Sequence, residues 1–234
     1  MSEGFSSIGE RLYAALIESD RYMAYLRGFG QTLEVSLFAV CIGVIVGTLI
    51  AIIKVTAHQN RGLRFLEWIC NIYITIIRGT PVYVQLLILW FMVFTSRNSS
   101  PILAASLGFG INSSAYVAEI VRAGIMAVDK GQTEAGRSLG LNGTMTMRYI
   151  ILPQAIKNIL PALGNEFIVL IKETSIMGFM SVTDVTKVAQ NIGNITYDYL
   201  LPLFIAALMY LVVVVGLTKL LAIFERRLAQ SDKR

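Results

Sequence analysis

Long apolar runs, separated by short polar segments, set the hydrophobic pattern of this chain. A transmembrane helix needs about 20 mostly apolar residues, and four runs have roughly that length. They are 35–53, 101–121, 159–180 and 201–224. The pattern therefore predicts helices that cross a bilayer rather than a water-soluble fold.

A fifth run, 63–94, is too long for one untilted span, and Arg78-Gly79-Thr80-Pro81 interrupts it. Glycine lowers helix propensity, and proline lacks a backbone donor and disfavours the helical conformation of the residue before it. We therefore expect a helix, a break and more helix within one span. Together the runs predict an all-α polytopic membrane protein with about five transmembrane helices.

Two weaker patterns lie near the start of the chain. Residues 11–25 can form an amphipathic helix at the membrane surface, and we expect no cleaved signal peptide because acidic residues interrupt this region. Gly43 and Gly47 form a GxxxG pair, which allows close helix contact but is also common by chance. The expected organisation is an N-terminal extracytoplasmic segment (1–28), one membrane domain (29–228) and a cytoplasmic tail (229–234).

The composition supports lipid as the solvent. The 234 residues are 55% hydrophobic and 15% charged, with a mean hydropathy of +0.65, whereas a soluble domain has about 25% charged residues. The net charge of +5 is compatible with nucleic-acid binding. Lys and Arg collected in the cytoplasmic loops of a membrane protein explain it better.

The Lys and Arg residues also predict an orientation. Thirteen of the 20 lie in the segments 54–64, 122–157 and 219–234, whereas five lie in the segments on the opposite side. Positive residues collect in cytoplasmic loops. We therefore expect a multi-pass protein of a bacterial inner (plasma) membrane, with the N-terminus outside and the C-terminus in the cytoplasm.

Enzymatic and metal chemistry find little support in the sequence. Cys41 and Cys70 lie in apolar surroundings without CxxC spacing, and His58 is the single histidine, so we expect no metal site and no catalytic residue. The chain has no GxxxxGK[ST] motif, so ATP hydrolysis would need a separate protein. A stand-alone channel or ion-coupled carrier for small polar solutes is the alternative, although the lack of an internal repeat argues against a carrier.

The polar segment 128–153 carries the most informative motif. It contains Glu134-Ala135-Gly136, then Gly140 after three residues, and Ile150 and Leu152-Pro153 further on. This resembles the EAA loop of ABC-importer permeases. Only the second alanine departs, because Gly136 replaces it and weakens a helix by about 1 kcal/mol. The resemblance implies that the loop docks on an ATPase subunit. The coupling residues are then Glu134, Ala135, Gly136, Leu139, Gly140 and Leu141.

Local signals predict the shape of this segment, which we call the EAA-like loop. A short helix over 132–139, with Thr133 as its N-cap, is followed by turn residues at Gly140 and Asn142-Gly143. A second short helix over 144–151 comes next, and Pro153 begins the following helix. The loop is therefore expected to be a compact helix-turn-helix.

Four further blocks resemble the polar amino acid permeases, which include the histidine, arginine and glutamine importers. They are Arg78-Gly79-Thr80-Pro81 with Gln85, Asn112-Ser113 with Ala115-Tyr116 and Ala118-Glu119, Gly164-Asn165-Glu166, and Lys172-Glu173-Thr174-Ser175. The similarity begins near Gln31 and implies a type I ABC importer permease. It further implies a second permease copy (identical or related), two ATPase subunits that hold ATP and magnesium, and an extracytoplasmic amino acid-binding protein. It implies no cofactor on this chain.

Polar residues inside the spans are the candidate substrate contacts, because such residues are expensive in lipid. Arg78 can clamp a carboxylate in a bidentate way, and the Gly79 backbone and Thr80 hydroxyl can add donors at the break. Glu166 can neutralise an ammonium or a cationic side chain, which favours arginine, lysine or histidine. The neutral candidates are Gln85, Asn112, Ser113 and Asn165.

Structural roles compete with these assignments. Arg78 could instead snorkel to an interface or pair with a protein carboxylate, and Glu166 could belong to an internal ion pair. Glu119 and Arg122 are three residues apart on one helix face, so we expect them to pair with each other.

Overall fold

The computed structural model describes residues 8–57, 61–96 and 98–231, and these form helices and connecting turns without a strand. The all-α class is therefore confirmed. Parts of the predicted segments 1–28 and 229–234, and His58, lie outside the described residues. The helices are α1 (Ile8–Leu12), α2 (Arg21–Ala57), α3 (Arg64–Gly79), α4 (Val82–Met92), α5 (Pro101–Met126), α6 (Lys130–Ser138), α7 (Gly143–Thr146), α8 (Leu152–Glu173), α9 (Val185–Thr196) and α10 (Leu200–Ser231).

Length and hydropathy identify some of the predicted spans directly. Among the described residues, the helical segment that ends with α2 and the helix α10 are long and apolar enough to cross a membrane, and the bent pair of α3 and α4 makes a third candidate. The other two, α5 and α8, have 26 and 22 residues, but buried polar groups such as Asn112, Ser113 and Glu166 interrupt them. More than half of α5 is buried, which makes it the central helix of the bundle.

The closest helix pairing joins α2 to α5 through small residues. A Cβ on Gly47 would lie 2.6 Å from the carbonyl oxygen of Ser114, so the two backbones are in contact. The GxxxG pair, a weak signal in the sequence, is therefore a contact between two spans. The buried small residues along α2 include Ser36, Ala39, Gly43, Gly47 and Ala51.

The helical run over 63–94 breaks where the sequence predicts. The axes of α3 and α4 are bent by 106°, and Thr80 and Pro81 between them are extended, with ψ of 149° and 132°. Proline excludes the preceding residue from the helical region, so α3 cannot continue through this point. Arg78 at the end of α3 lies against Tyr116, which places the break beside the middle of α5.

A continuous helical rod joins the EAA-like loop to the fourth span. The helix α7, a π-helical segment (Met147–Ile151) and α8 follow one another without a gap, and the junction residues keep right-handed helical angles. From Gly143 to Glu173 the rod is about 46 Å long at 1.5 Å per residue. The helical segment over 143–151 agrees within one residue with the short helix predicted over 144–151. The run predicted over 159–180 has different helix ends. The helix α8 already begins at Leu152, and a 3₁₀ segment (Thr174–Met180) follows it.

The segment before α2 is helical but bent. A π-helical turn (Tyr13–Ile17) and a 3₁₀ turn (Glu18–Asp20) follow α1, and Ser19 and Asp20 both have φ of 54°. This left-handed conformation interrupts the single helix predicted over 11–25. Arg11 forms a salt bridge of 2.7 Å with Asp198, which fixes the segment to the start of α10.

The helix α9 was not predicted from the sequence. Asp184 caps it, because its carboxylate accepts hydrogen bonds from the N–H groups of Thr186 and Lys187 at 3.0 and 3.1 Å. Burial raises the pKa of Asp184, although these donors oppose the shift. A Cβ on Gly28 of α2 would lie 3.0 Å from the backbone of Asp184, so the start of α9 is packed tightly against α2.

Candidate functional site

Polar side chains close the break between α3 and α4. The amide nitrogen of Gln85 donates to the carbonyl oxygens of Ile77 (2.8 Å) and Thr80 (3.1 Å) and to the Thr80 hydroxyl (2.7 Å). Its amide oxygen accepts a hydrogen bond of 3.0 Å from Nδ2 of Asn112. Pro81 has no N–H for the end of α3, so Gln85 supplies the donors that this helix terminus lacks. We call Thr80, Gln85 and Asn112 the break cluster.

Arg78 and Gly79 at the end of α3 are exposed. The guanidinium carbon of Arg78 lies 5.2 Å from the centre of the Tyr116 ring, a cation–π contact. Within the described part of the chain no carboxylate pairs with Arg78, so the ion-pair alternative is not observed there. A Cβ on Gly79 would meet no atom within 4 Å. The break therefore leaves open space beside a guanidinium.

A second cluster joins Glu166 to Ser113. Glu166 is 9% exposed, and its Oε1 accepts a hydrogen bond of 2.8 Å from the Ser113 hydroxyl. Among the residues described, this is the single hydrogen bond that the carboxylate accepts, and no cation pairs with it. A buried carboxylate with one neutral partner is unfavourable. The site therefore has the chemistry to bind a cation.

The two clusters lie on different faces of α5. Asn112 and Ser113 are consecutive, so their side chains point about 100° apart. The first contacts α4 and the second contacts α8. Asn165, the residue before Glu166, is exposed. The eight predicted substrate residues thus divide into the break cluster, the Ser113–Glu166 pair and three residues outside both. Those three are Arg78, Gly79 and Asn165, and all are exposed.

Two tyrosines that are not among the predicted substrate contacts contribute to this region. The Tyr73 hydroxyl donates to the carbonyl oxygen of Ile111 at 2.8 Å and lies 2.6 Å from the Ser114 hydroxyl, which fixes α3 to α5. Tyr116 lies under Arg78. The spacing of Tyr116 four residues after Asn112, on one helix face, was the available signal.

An ion cluster connects α2 and α5 nearer the end of the bundle that holds the EAA-like loop. The predicted pair is present, because Nη2 of Arg122 lies 2.7 Å from Oε2 of Glu119. Lys54, which was not predicted, binds the other carboxylate oxygen at 2.7 Å. Its position at the end of the first apolar run was its sequence signal. Glu119 thus bridges two helices instead of pairing only within its own.

The EAA-like loop forms the predicted helix-turn-helix, but its first helix begins at a different residue from the one predicted. The cap of α6 is Asp129, whose Oδ1 accepts a hydrogen bond of 2.6 Å from the N–H of Gly131. The prediction of Thr133 as the cap is wrong, since Thr133 lies inside α6. Gly140 has φ of 79° and turns the chain, and the Asn142 side chain caps α7.

Packing explains the departure of this loop from the EAA pattern. Gly136 is buried, and a Cβ there would lie 2.8 and 2.9 Å from Cγ2 and Oγ1 of Thr146. Thr146 is itself buried, and its hydroxyl donates to the carbonyl oxygen of Asn142 at 3.0 Å. Glycine therefore allows α6 to approach α7 more closely than alanine would.

The outer surface of the loop combines acidic and apolar groups. Leu139 is 78% exposed, and Met145 and Tyr149 are also exposed. Large apolar side chains exposed beside a carboxylate, in a segment too polar to lie in lipid, are typical of a protein-binding surface. Of the predicted coupling residues, Gly136 is buried and Leu141 is half-buried. The exposed ones are Glu134, Ala135, Leu139 and Gly140.

Known proteins match most of this chain. Residues 39–230 match the family described as binding-protein-dependent transport system inner membrane component. A Rickettsia felis protein whose name assigns it to glutamine transport is 41% identical over 199 residues, 84% of this chain and 89% of that protein. The arginine transport system permease protein of Bacillus subtilis is 39% identical over 209 residues, 88% of this chain and 93% of that protein.

A solved structure of a transporter matches the fold of this chain. It is described as an amino acid ABC transporter with histidines, and it matches at 43% identity with a TM-score of 0.82 over 97% of this chain and 100% of its own. The fold is therefore that of type I ABC importer permeases. The chain belongs to the family of inner membrane components of binding-protein-dependent transport systems. The resemblance inferred from the EAA-like loop and the four sequence blocks is confirmed.

Proposed function

We propose that this chain is the membrane-spanning permease subunit of an ATP-driven importer, and that it moves a polar, cationic amino acid into the cytoplasm. The observation that carries the proposal is the buried carboxylate of Glu166, which has one neutral hydrogen-bond partner among the described residues. An ammonium or guanidinium group of a substrate would supply the missing positive charge.

The substrate carboxylate would be bound at the break in the second span. Arg78 is exposed there, and Gly79 borders open space, so a small anion could approach the guanidinium. Broken helices bind polar substrates in this way in other transporters. Thr80, Gln85 and Asn112 then shape the break, and Asn165 adds a neutral hydrogen-bonding group.

The names of the relatives support an amino acid substrate. One relative is assigned to glutamine and another to arginine, and the matched structure is described as an amino acid transporter. Glutamine and arginine share the α-ammonium and α-carboxylate groups and differ in the charge of the side chain. The acidic Glu166 favours the cationic member of this pair.

The EAA-like loop would transmit the energy of ATP hydrolysis. Two ATPase subunits, which hold ATP and magnesium, would bind the loops of this chain and of a second permease copy. The exposed Glu134 and Leu139 suit such an interface. The helical segment from Gly143 to Glu173 includes Glu166, with Pro161 inside it, so movement of the loop would be passed along this segment to the acid.

The charge distribution supports the direction of transport. The EAA-like loop lies in the lysine- and arginine-rich set of segments, and the positive-inside rule supports a cytoplasmic position for it. The N-terminus would then be outside, on the side where an amino acid-binding protein delivers the substrate, in a bacterial plasma membrane.

Reconstituted transport tests this function. The permease, its ATPase and its binding protein are placed in proteoliposomes, and uptake of radiolabelled arginine is measured with and without ATP. We expect uptake that requires ATP and is lost when the ATPase carries an inactivated Walker lysine. Uptake driven by an ion gradient without the ATPase would instead favour the channel or carrier alternative.

A further inference from the structure

Gly43 of α2 touches the pair formed by Ser113 and Glu166. A Cβ at position 43 would lie 2.7 Å from the Ser113 hydroxyl oxygen and 3.0 Å from the Ser113 Cβ. Gly43 and Ser113 are both buried. One side chain on α5 therefore contacts the backbone of α2 and donates a hydrogen bond to the carboxylate on α8.

The hydroxyl of Ser113 differs from those of two other buried serines, Ser36 and Ser114. Serine in a helix commonly donates to a carbonyl oxygen of the preceding turn. Ser36 does so to Thr32 at 2.7 Å, and Ser114 does so to Ile111 at 2.8 Å. Ser113 instead donates away from its own helix, to Glu166. Its acceptor is the Glu166 carboxylate, and Gly43 lies against its other side.

We propose that Gly43 is a positioning residue for the acid that recognises the cationic part of the substrate. The backbone of α2 confines the Ser113 hydroxyl to Oε1 of Glu166, which orients the carboxylate and leaves Oε2 for the incoming cation. A methyl group at position 43 displaces the hydroxyl and so disturbs the carboxylate. This inference rests on the proposed role of Glu166 in substrate binding.

The test measures dissociation constants of arginine and glutamine by calorimetry on the permease–ATPase complex without the binding protein. For Gly43→Ala we expect arginine binding to weaken about tenfold and glutamine binding to change less than about twofold, because only arginine brings a cationic side chain to Glu166. The matched control is Gly216→Ala in α10, where a Cβ meets no atom within 4 Å. It should leave both constants unchanged.

A second pair of variants separates positioning from packing. In Gly43→Ala/Ser113→Gly the added methyl group has room again, but the hydroxyl is absent. We expect the thermal stability to return toward that of Ser113→Gly alone, while arginine binding stays as weak as in Ser113→Gly. Recovery of wild-type arginine binding in the double variant would show that Gly43 acts through packing alone, and would overturn the proposal.

Glu166→Gln distinguishes the failure of this inference from the failure of the proposed function. If Glu166→Gln selectively weakens arginine binding but Gly43→Ala weakens arginine and glutamine equally, the positioning role alone is overturned. If Glu166→Gln affects both amino acids equally, the proposed cation site is wrong and the inference about Gly43 is overturned with it.

Discussion

The break in the second span and the EAA-like loop are both polar interruptions of an apolar chain, but they hold their polar groups in opposite ways. At the break, Gln85 bonds to Thr80 and to Asn112, so these side chains satisfy one another. In the loop, backbone turns and caps set the shape, and Glu134 and Leu139 are exposed. Polar groups at the break therefore stabilise a bend, whereas those of the loop are available to a partner.

The largest effect is expected at the loop. Glu134→Lys reverses an exposed charge at the proposed ATPase interface, and we expect ATPase co-purification and arginine uptake to fall by more than about tenfold. Glu225→Lys is the matched control, because it makes the same reversal on the exposed surface of α10. Survival of both ATPase association and coupled hydrolysis in Glu134→Lys would contradict the docking role.

A substitution in the break cluster should lower the stability of the protein more than it weakens substrate binding. Gln85→Leu removes the donors to two backbone carbonyl groups, and we expect it to destabilise the purified complex by about 2 kcal/mol, measured as a lower Tm. Gln190→Leu, at an exposed position of α9, controls for the loss of an amide. A Gln85→Leu variant with unchanged Tm but lost arginine binding would make Gln85 a substrate ligand instead.

A smaller effect is expected within the loop. Gly136→Ala improves helix propensity but places a methyl group against the stiff, buried Thr146, so we expect a net loss of about 1 kcal/mol and weaker ATPase coupling. Gly136→Ala/Thr146→Ala should restore both. Gly143→Ala is the control, since a Cβ there meets no atom within 4 Å. A neutral Gly136→Ala would show that the loop tolerates the full EAA pattern.

The smallest effect is a pH dependence outside both regions. Burial alone would raise the pKa of Asp198, but the hydrogen bond and charge of Arg11 outweigh it and hold the pKa below its usual range. A lowered pKa stabilises the fold above the unfolded pKa, about 3.9, and the stabilisation is lost as the pH falls through the folded pKa.

Thermal unfolding at several pH values checks this expectation. The difference in Tm between the wild type and Asp198→Asn should be constant above about pH 5 and shrink at lower pH. Asp20→Asn serves as the control, because Asp20 is an exposed aspartate in the N-terminal segment that holds Arg11. A difference that grows as the pH falls would have the wrong sign for this pair.

Features governed by local chemistry were predictable from the sequence. Pro81 stops α3 whatever surrounds it, and Gly140 turns the EAA-like loop because it adopts a positive φ at little cost. The family likewise follows from motifs whose spacing can be read along the chain. These parts of the prediction need no knowledge of which helices are neighbours.

Features that depend on helix neighbours were not predictable. The bond from Asn112 to Gln85 and the bridge from Lys54 to Glu119 join residues 27 and 65 positions apart, and a single sequence does not say which distant residues meet. The GxxxG pair at Gly43 gained its meaning only when α5 was placed against it. Thr133 and Asp129 are both acceptable cap residues, so local preference could not choose between them.

The central claim is that a buried acid in the fourth span selects a cationic amino acid. The most direct test compares arginine and glutamine binding to the permease–ATPase complex, with wild-type Glu166 and with Glu166→Gln. The account predicts that the substitution weakens arginine binding by about tenfold or more while glutamine binding changes little. Equal changes for the two amino acids, or no change for either, would contradict it.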